Sequence, residues 1–338
     1  MTAFTLENFT PNELRVEDRN QNLYHLFDSA DCAALWSAYA AGRPLLLRGK
    51  PGTGKTQLAK AIAKQLGWAY VSEVINGSTE LSDLHYHFDA VGRLAEAQVK
   101  GLNSEQAKQN VDPAQFISPG VFWWAYQWQT ACEYYKNCQY SLRPRPLIPG
   151  VDGDAECPSS VNGVVLLLDE IDKAPPELAN GLLETLGEGR FQPPFVPQAV
   201  SRSSTPLLTV ITTNEERELP TAFLRRCFVH TLKMESSSDN VEITLPNNPD
   251  VPQAVTKRSQ WLIERGVWHF KTKIADQVYV EAADLLWQDI ARSQGSQYQP
   301  GLAEYIDLLK ALENLDHTQQ LERLRVISSY ALEKELVS

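Results

Sequence analysis

Residues 49–56 read GKPGTGKT, a Gly-x-x-x-x-Gly-Lys-Thr spacing. Each position has a chemical use. Gly49, Gly52 and Gly54 allow backbone angles that a side chain would forbid. The chain can then curl so that several N–H groups face phosphate oxygens. Lys55 brings a point charge to the outer phosphates, and the Thr56 hydroxyl can ligate Mg²⁺. Pro51, Thr53 and Gln57 complete the expected nucleotide-holding set. A second cluster stands in VVLLLDEIDKA, where an apolar run ends in Asp169 and Glu170. Asp169 is suited to hold Mg²⁺ through water, and Glu170 to orient or deprotonate an attacking water. Activating water is hydrolytic chemistry and argues against a small-molecule kinase. Asp172 is expected only to start the helix that follows.

A third apolar run, PLLTVITTN, ends in Thr212, Thr213 and Asn214. An amide at such a tip can reach a γ-phosphate or the attacking water, although Asn after a strand is commonly a turn residue. Arg225 and Arg226 follow in AFLRRCF. Paired arginines are usually surface charge. Beside a water-activating site they have a second use, stabilising charge on a phosphoryl group held by a neighbouring copy.

These groups need a frame. PLLLR, WAYVSEVI, GVVLLLDE and PLLTVITTN alternate with helical patterns between residues 44 and about 233, as a parallel α/β sheet requires. The third is apolar throughout, as a strand buried on both faces should be. Carboxylates at the C-terminal end of such a strand stand where open α/β sheets bind ligands. The Lys55 helix buries Leu58, Ile62 and Leu66 on one side and adds its N-terminal dipole to the loop. Residues 77 to about 160 form an insert whose last part, rich in Pro, Gly, Ser and Asp, reads as a loop. ESSSDNVEITLPNNPD, from Glu235 to Asp250, reads as a polar break. Beyond it the pattern is helical to the end, with Leu302, Tyr305, Ile306, Leu309 and Leu312 at helical spacing. The expected units are an N-terminal segment 1–43 packed on the core, an α/β domain 44–235 and a helical domain 251–338.

The set resembles the AAA+ ATPases of the P-loop NTPase superfamily, and within them the MoxR-like group related to the dynein and McrB ATPases. GKPGTGKT, LLLDEIDKAPPELANGLLETLGEGRF, VITTNEERELP and LRRCF carry the resemblance, with HYHFDAVGRL and PGVFWWA in the insert. The resemblance implies an AAA+ core, a parallel sheet with helices on both faces, followed by a small all-helical lid domain. It implies that Lys55 and Thr56 are the Walker A pair, Asp169 and Glu170 the Walker B pair and Asn214 sensor 1. Arg226 is the better arginine-finger candidate because it precedes Cys and Phe; Arg225 is second. ATP, Mg²⁺ and a ring, usually a hexamer, come with the family, as does a protein client, commonly a von Willebrand A-type domain protein. One departure stands out. Where many lids begin a late helix with a sensor 2 arginine, this chain has Gly301 and Leu302.

Composition narrows the alternatives. The chain has 338 residues, 43% hydrophobic and 22% charged, with a formal net charge of −11. That balance does not advertise the basic groove of a nucleic-acid motor. A McrB-type NTPase and a non-hydrolysing assembly switch are the rival readings; Glu170 and Asn214 count against the switch. No run nears the roughly 20 apolar residues of a membrane span. The opening MTAFTLENFT lacks the features of a secretory signal, so a cytoplasmic location is the default. Cys32, Cys132, Cys138, Cys157 and Cys227 form no Cys-x-x-Cys pair and read as free thiols. FWWAYQW, Phe122 to Trp128, could bind a client or stack on bases, but packing in a helix is the simpler reading. His85 and His87 lack a third metal ligand. LRPRP, residues 142–146, reads as a Pro-stiffened loop.

Overall fold

The computed structural model describes residues 15–18, 23–101, 112–138, 144–148, 157–293 and 299–331. A short antiparallel pair, β1 (Arg15–Asp18) and β2 (Leu23–Leu26), precedes α1 (Ser29–Ala40). β3 (Leu45–Arg48), α2 (Lys55–Leu66) and β4 (Ala69–Val74) follow. The insert holds α3 (Leu81–His85), β5 (Tyr86–Phe88), α4 (Ala90–Gly101), β6 (Ile117–Pro119), α5 (Val121–Tyr126) and α6 (Trp128–Asn137). Then come β7 (Val164–Asp169), α7 (Pro176–Glu188), the short pair β8 (Arg190–Phe191) and β9 (Val200–Ser201), and β10 (Leu207–Thr213). α8 (Thr221–Leu224) and β11 (Phe228–Thr231) close this stretch. The C-terminal part holds β12 (Asn240–Leu245), β13 (Asn248–Thr256), α9 (Lys257–Phe270), α10 (Asp276–Arg292), α11 (Leu302–Leu312) and α12 (His317–Ala331).

The contacts divide the chain into two units. Of the described residues, the first comprises those within 27–48 and 58–230; the second comprises those within 15–26, 49–57 and 231–331.

In the first unit, five strands form one sheet in the order β11-β3-β10-β7-β4. The pairings of β3, β10, β7 and β4 are parallel. Four of the strands are the apolar runs of the sequence; β11 is an additional edge strand. Leu46, Val164, Leu166, Leu168 and Ile211 share one core with Phe122, Trp123, Trp124, Leu178 and Leu182. The alternate residues Leu45, Leu47, Val165, Leu167 and Val210 are equally buried, and α1 packs on β3 and β10. Alternation of side chains along each strand thus feeds two apolar faces, and helices cover both. Pro175 and Pro176 open α7, and Gly189 in the left-handed region closes it, as its KAPP and GEG flanks require.

The aromatic run of the insert is buried from Phe122 to Tyr126 and again at Trp128. Its polar tips are partnered: Trp123 Nε1 donates to Thr130 Oγ1, Trp128 Nε1 to Pro158 O and Tyr126 Oη to Thr185 O. This is core packing, as expected. His85 Nε2 lies 2.9 Å from Thr185 Oγ1 and its ring stacks on Phe191. Most of the Pro-rich loop and the first two residues of LRPRP lie outside the described residues, as do residues 1–14 and 19–22.

The second unit is helical from α9 onward, with Leu262, Ile263, Tyr279, Tyr305, Leu308 and Leu312 in its core. The stretch Glu235 to Asp250 differs from the expected polar break, because it contains β12 and the start of β13, paired as an antiparallel hairpin. Asn247 at the turn donates through its main-chain N–H and its side-chain amide to Asp276 Oδ1, and through the amide also to Ile274 O. The hairpin is thereby docked on the helices rather than acting as a linker. Among the described residues no helix is long and apolar enough to cross a membrane.

Candidate functional site

The glycine-rich loop leaves β3 at Arg48 and enters α2 at Lys55. Gly49, Gly52 and Gly54 take φ values of 150°, 76° and 94°, a region that side chains rarely enter. A Cβ on Gly49 would stand 2.7 Å from Leu232 O, so the loop needs glycine there for space as well as angle. Lys55 is buried and donates to Gly49 O at 2.7 Å and Lys50 O at 2.9 Å. Thr53 Oγ1 closes the same turn on Lys50 O at 2.9 Å. Thr56 and Gln57 are half-buried in the first turn of α2, and Pro51 is exposed. Gln57 Oε1 is buried without a hydrogen-bond partner among the described residues. A curled main chain, an ammonium and a helix N-terminus form a donor set that fits a phosphate chain.

The start of α11 packs on this loop. A Cβ on Gly52 would lie 3.0 Å from Ala303 Cβ, and one on Gly301 would lie 3.8 Å from Pro51 O. Lys50 Nζ donates to Gln299 Oε1. The start of α11, where many lids carry a sensor 2 arginine, therefore adjoins the loop, and Gly301 and Ala303 are the residues that meet it. His25, on β2, also borders the loop, 3.8 Å from a Cβ built on Gly54.

The acidic cluster is in the first unit. Register pairs Val74 with Asp169 and Thr213 with Arg48, so the C-terminal ends of β3, β4, β7 and β10 share one edge. Thr212 Oγ1 donates to Asp169 Oδ1 and accepts from the Glu170 N–H at 2.9 Å. Glu170 sits at φ 60°, ψ 46°, in the left-handed region that a glutamate seldom takes. Its carboxylate accepts from Lys173 Nζ at 2.8 Å, a bond that holds the lysine above its usual pKa range.

Asp172 takes a larger part than a helix start. It is 2% exposed, and its Oδ2 accepts from the N–H groups of Asn214 at 3.2 Å and Glu216 at 3.0 Å. Its other oxygen is buried without a partner among the described residues. α7 starts later, at Pro176. Asp172 thus clamps the loop that carries Asn214. Glu215, also at positive φ, reaches back to Arg48 at 3.7 Å. Sequence reasoning missed this clamp and the lysine at 173; the DEIDK spacing puts Asp172 and Lys173 within one turn of Glu170, which is the only signal available.

Arg225 and Arg226 are exposed just beyond α8. The Phe228 N–H donates to Pro44 O at 2.8 Å, which sets this turn beside the start of β3. Arg48 is at the other end of that strand, about 10 Å away at the usual strand rise. The structure therefore brings Asp169, Glu170 and Asn214 to one edge of the sheet and leaves the arginine pair at the opposite edge. Cys227, which follows the pair in the chain, is buried, which pushes its thiol up to about 11.

The profile of the AAA domain (dynein-related subfamily) matches residues 44–227, more than half of the chain. No curated protein matches. The crystal structure of a candidate ATPase from Cytophaga hutchinsonii is similar at 15% identity over 86% of this chain and 77% of that one, with a TM-score of 0.36. The family assignment rests on the profile, whose range runs from the start of β3 through the glycine loop, the acidic tip and Asn214 to the arginine pair. This chain belongs to the AAA domain family, dynein-related subfamily.

Proposed function

We propose that the chain is a MoxR-like ATP hydrolase that works as a ring of copies and remodels, assembles or activates a protein partner. The observation that carries this reading is the division of the charged groups across one sheet. Glu170 is held at the edge where β7 ends, whereas Arg225 and Arg226 stand at the edge where β3 begins. An arginine so far from its own acidic tip is suited to serve another copy.

In this reading the N–H groups of residues 52–56 and the Lys55 ammonium hold the phosphates, with Gly49, Pro51, Thr53 and Gln57 lining the loop. Thr56 and Asp169 would hold Mg²⁺. ATP bound with Mg²⁺ supplies the phosphoryl group and the cation that balances its charge. Glu170 takes the proton of the attacking water. Thr212 fixes the main chain from which Glu170 projects, and Lys173 pairs with its carboxylate and so fixes where the side chain points. Asn214, steadied through Asp172, orients the water or the γ-phosphate. Arg226 of a neighbouring copy, with Arg225 beside it, stabilises the charge that develops in transfer.

The test is a pair of variants read for binding and turnover separately. Glu170→Gln should bind ATP with near wild-type affinity and lose turnover by at least about 100-fold, the scale of a general base. Lys55→Ala should lose binding itself. Wild-type turnover in Glu170→Gln would overturn the assignment.

A further inference from the structure

Arg43 is not part of any motif, yet its side chain ends on the main chain of the arginine pair. Its position starts with the end of α1. Gly42 takes φ 62°, and the N–H groups of Gly42 and Arg43 donate to Tyr39 O and Ala38 O at 3.0 Å each. This left-handed cap closes α1 and aims Arg43 outward. Arg43 Nε then donates to Arg226 O at 3.0 Å, and a terminal guanidinium nitrogen donates to Arg225 O. The guanidinium also lies over the Phe228 ring, 5.3 Å from its centre. A planar fork of donors suits two successive carbonyls in a way that a lysine ammonium does not. Those carbonyls lie past the end of α8, where helix geometry leaves them without intrahelical partners. The side chains of Arg225 and Arg226 remain exposed and make no hydrogen bond or ion pair among the described residues.

We propose that Arg43 is a positioning residue for Arg225 and Arg226, holding their main chain so that both side chains are presented to a neighbouring copy. The inference rests on the reading of that pair as acting in trans. A purely structural Arg43 would cap the end of α8 and add stability, with no effect on another subunit's pocket. The two roles separate in mixed rings.

Arg43→Ala should lower turnover about 10- to 100-fold, the scale of a misplaced catalytic group, while ATP affinity stays within about twofold. Adding it to an Arg225→Ala/Arg226→Ala chain should slow that chain no further. Mixing Arg43→Ala with Glu170→Gln subunits should restore turnover. The Glu170→Gln copies have intact arginines to lend, and the Arg43→Ala copies have intact pockets. Wild-type turnover in Arg43→Ala, a further loss in the triple variant, or no recovery on mixing would each overturn the proposal. If Arg43→Ala does not fold, Arg43→Lys carries the test. It keeps the charge but reaches one carbonyl, so turnover should fall several-fold at unchanged ATP affinity; unchanged turnover overturns the proposal. Wild-type turnover in Arg225→Ala/Arg226→Ala would instead sink the arginine assignment and this inference with it. A loss there without a loss in the Arg43 variants sinks this inference alone.

Discussion

The Thr212 hydroxyl accepts the main-chain N–H of Glu170 at 2.9 Å while donating to the carboxylate of Asp169. One hydroxyl, fully buried on the neighbouring strand, thus secures both members of the acidic pair. It also satisfies the N–H of a residue held at φ 60°. Thr212→Val keeps the shape and removes both bonds. A buried N–H left without a partner costs about 1–3 kcal/mol. The expected outcome is a lower unfolding midpoint and a turnover reduced about tenfold or more, the scale of a misplaced catalytic group, with ATP affinity retained. Turnover equal to wild type would show that Glu170 keeps its place without Thr212.

Asp172 carries the next expectation. Its buried carboxylate accepts two N–H groups from the loop after β10, those of Asn214 and Glu216. Asp172→Ala strands both donors, at a cost of about 2–4 kcal/mol. Asp172→Asn keeps an acceptor oxygen and should cost less. Both should slow turnover through Asn214, the alanine more. Equal unfolding midpoints for wild type and Asp172→Ala would remove the clamp from the account.

What the sequence disclosed follows the range of the interactions. β7 was legible because a strand covered on both faces is apolar at every position, and the glycine loop because its spacing is local. The β12–β13 hairpin was not. Pro249 and Pro252 lie inside β13 and argue against a strand. A two-stranded ladder tolerates them because one side of each strand has no partner to bond. The hairpin's anchor is Asp276, which lies far along the chain from Asn247. The Asp172 clamp spans 42 and 44 residues, and the bonds of Arg43 span 182 and 183. No local pattern records such pairings. The arginine pair itself was legible as composition, but its place at the far edge of the sheet needed β11, a four-residue strand too short to read.

Gly49 supplies a prediction about the loop alone. At φ 150°, with Leu232 O 2.7 Å from any added Cβ, the residue lacks both angle and space for a side chain. The obstacle is main chain, so it cannot swing aside. In Gly49→Ala the loop must shift, and with it the carbonyl that accepts from Lys55 Nζ at 2.7 Å. Affinity for a fluorescent ATP analogue should drop about tenfold or more, as about 1.4 kcal/mol of lost binding entails. An unchanged dissociation constant would mean that the loop's curl does not set phosphate binding.

His85 supplies a pH dependence with a definite sign. Burial lowers its pKa from 6.5 to about 4, and its ring is stacked on Phe191 at 4.1 Å with Nε2 at Thr185 Oγ1. Above pH 6.5 the ring is neutral in both folded and unfolded chains, and its contribution to stability is fully present. As pH falls from about 6.5 toward 4 the unfolded chain takes up a proton that the folded one refuses. The unfolded state binds more protons in that window, so stability is lost as pH falls, roughly 3 kcal/mol from this group over the whole window. Below about 4 both states are protonated and the loss levels off. His85→Gln has no such proton to take up. Its unfolding midpoint should therefore fall less than that of the wild type between pH 7 and pH 5, even if it starts lower. Other groups, His269 among them, titrate alike in both chains and cancel in the comparison. Parallel pH profiles for the two proteins would show that His85 exchanges protons freely in the folded chain, contrary to its burial between α3, α7 and β8.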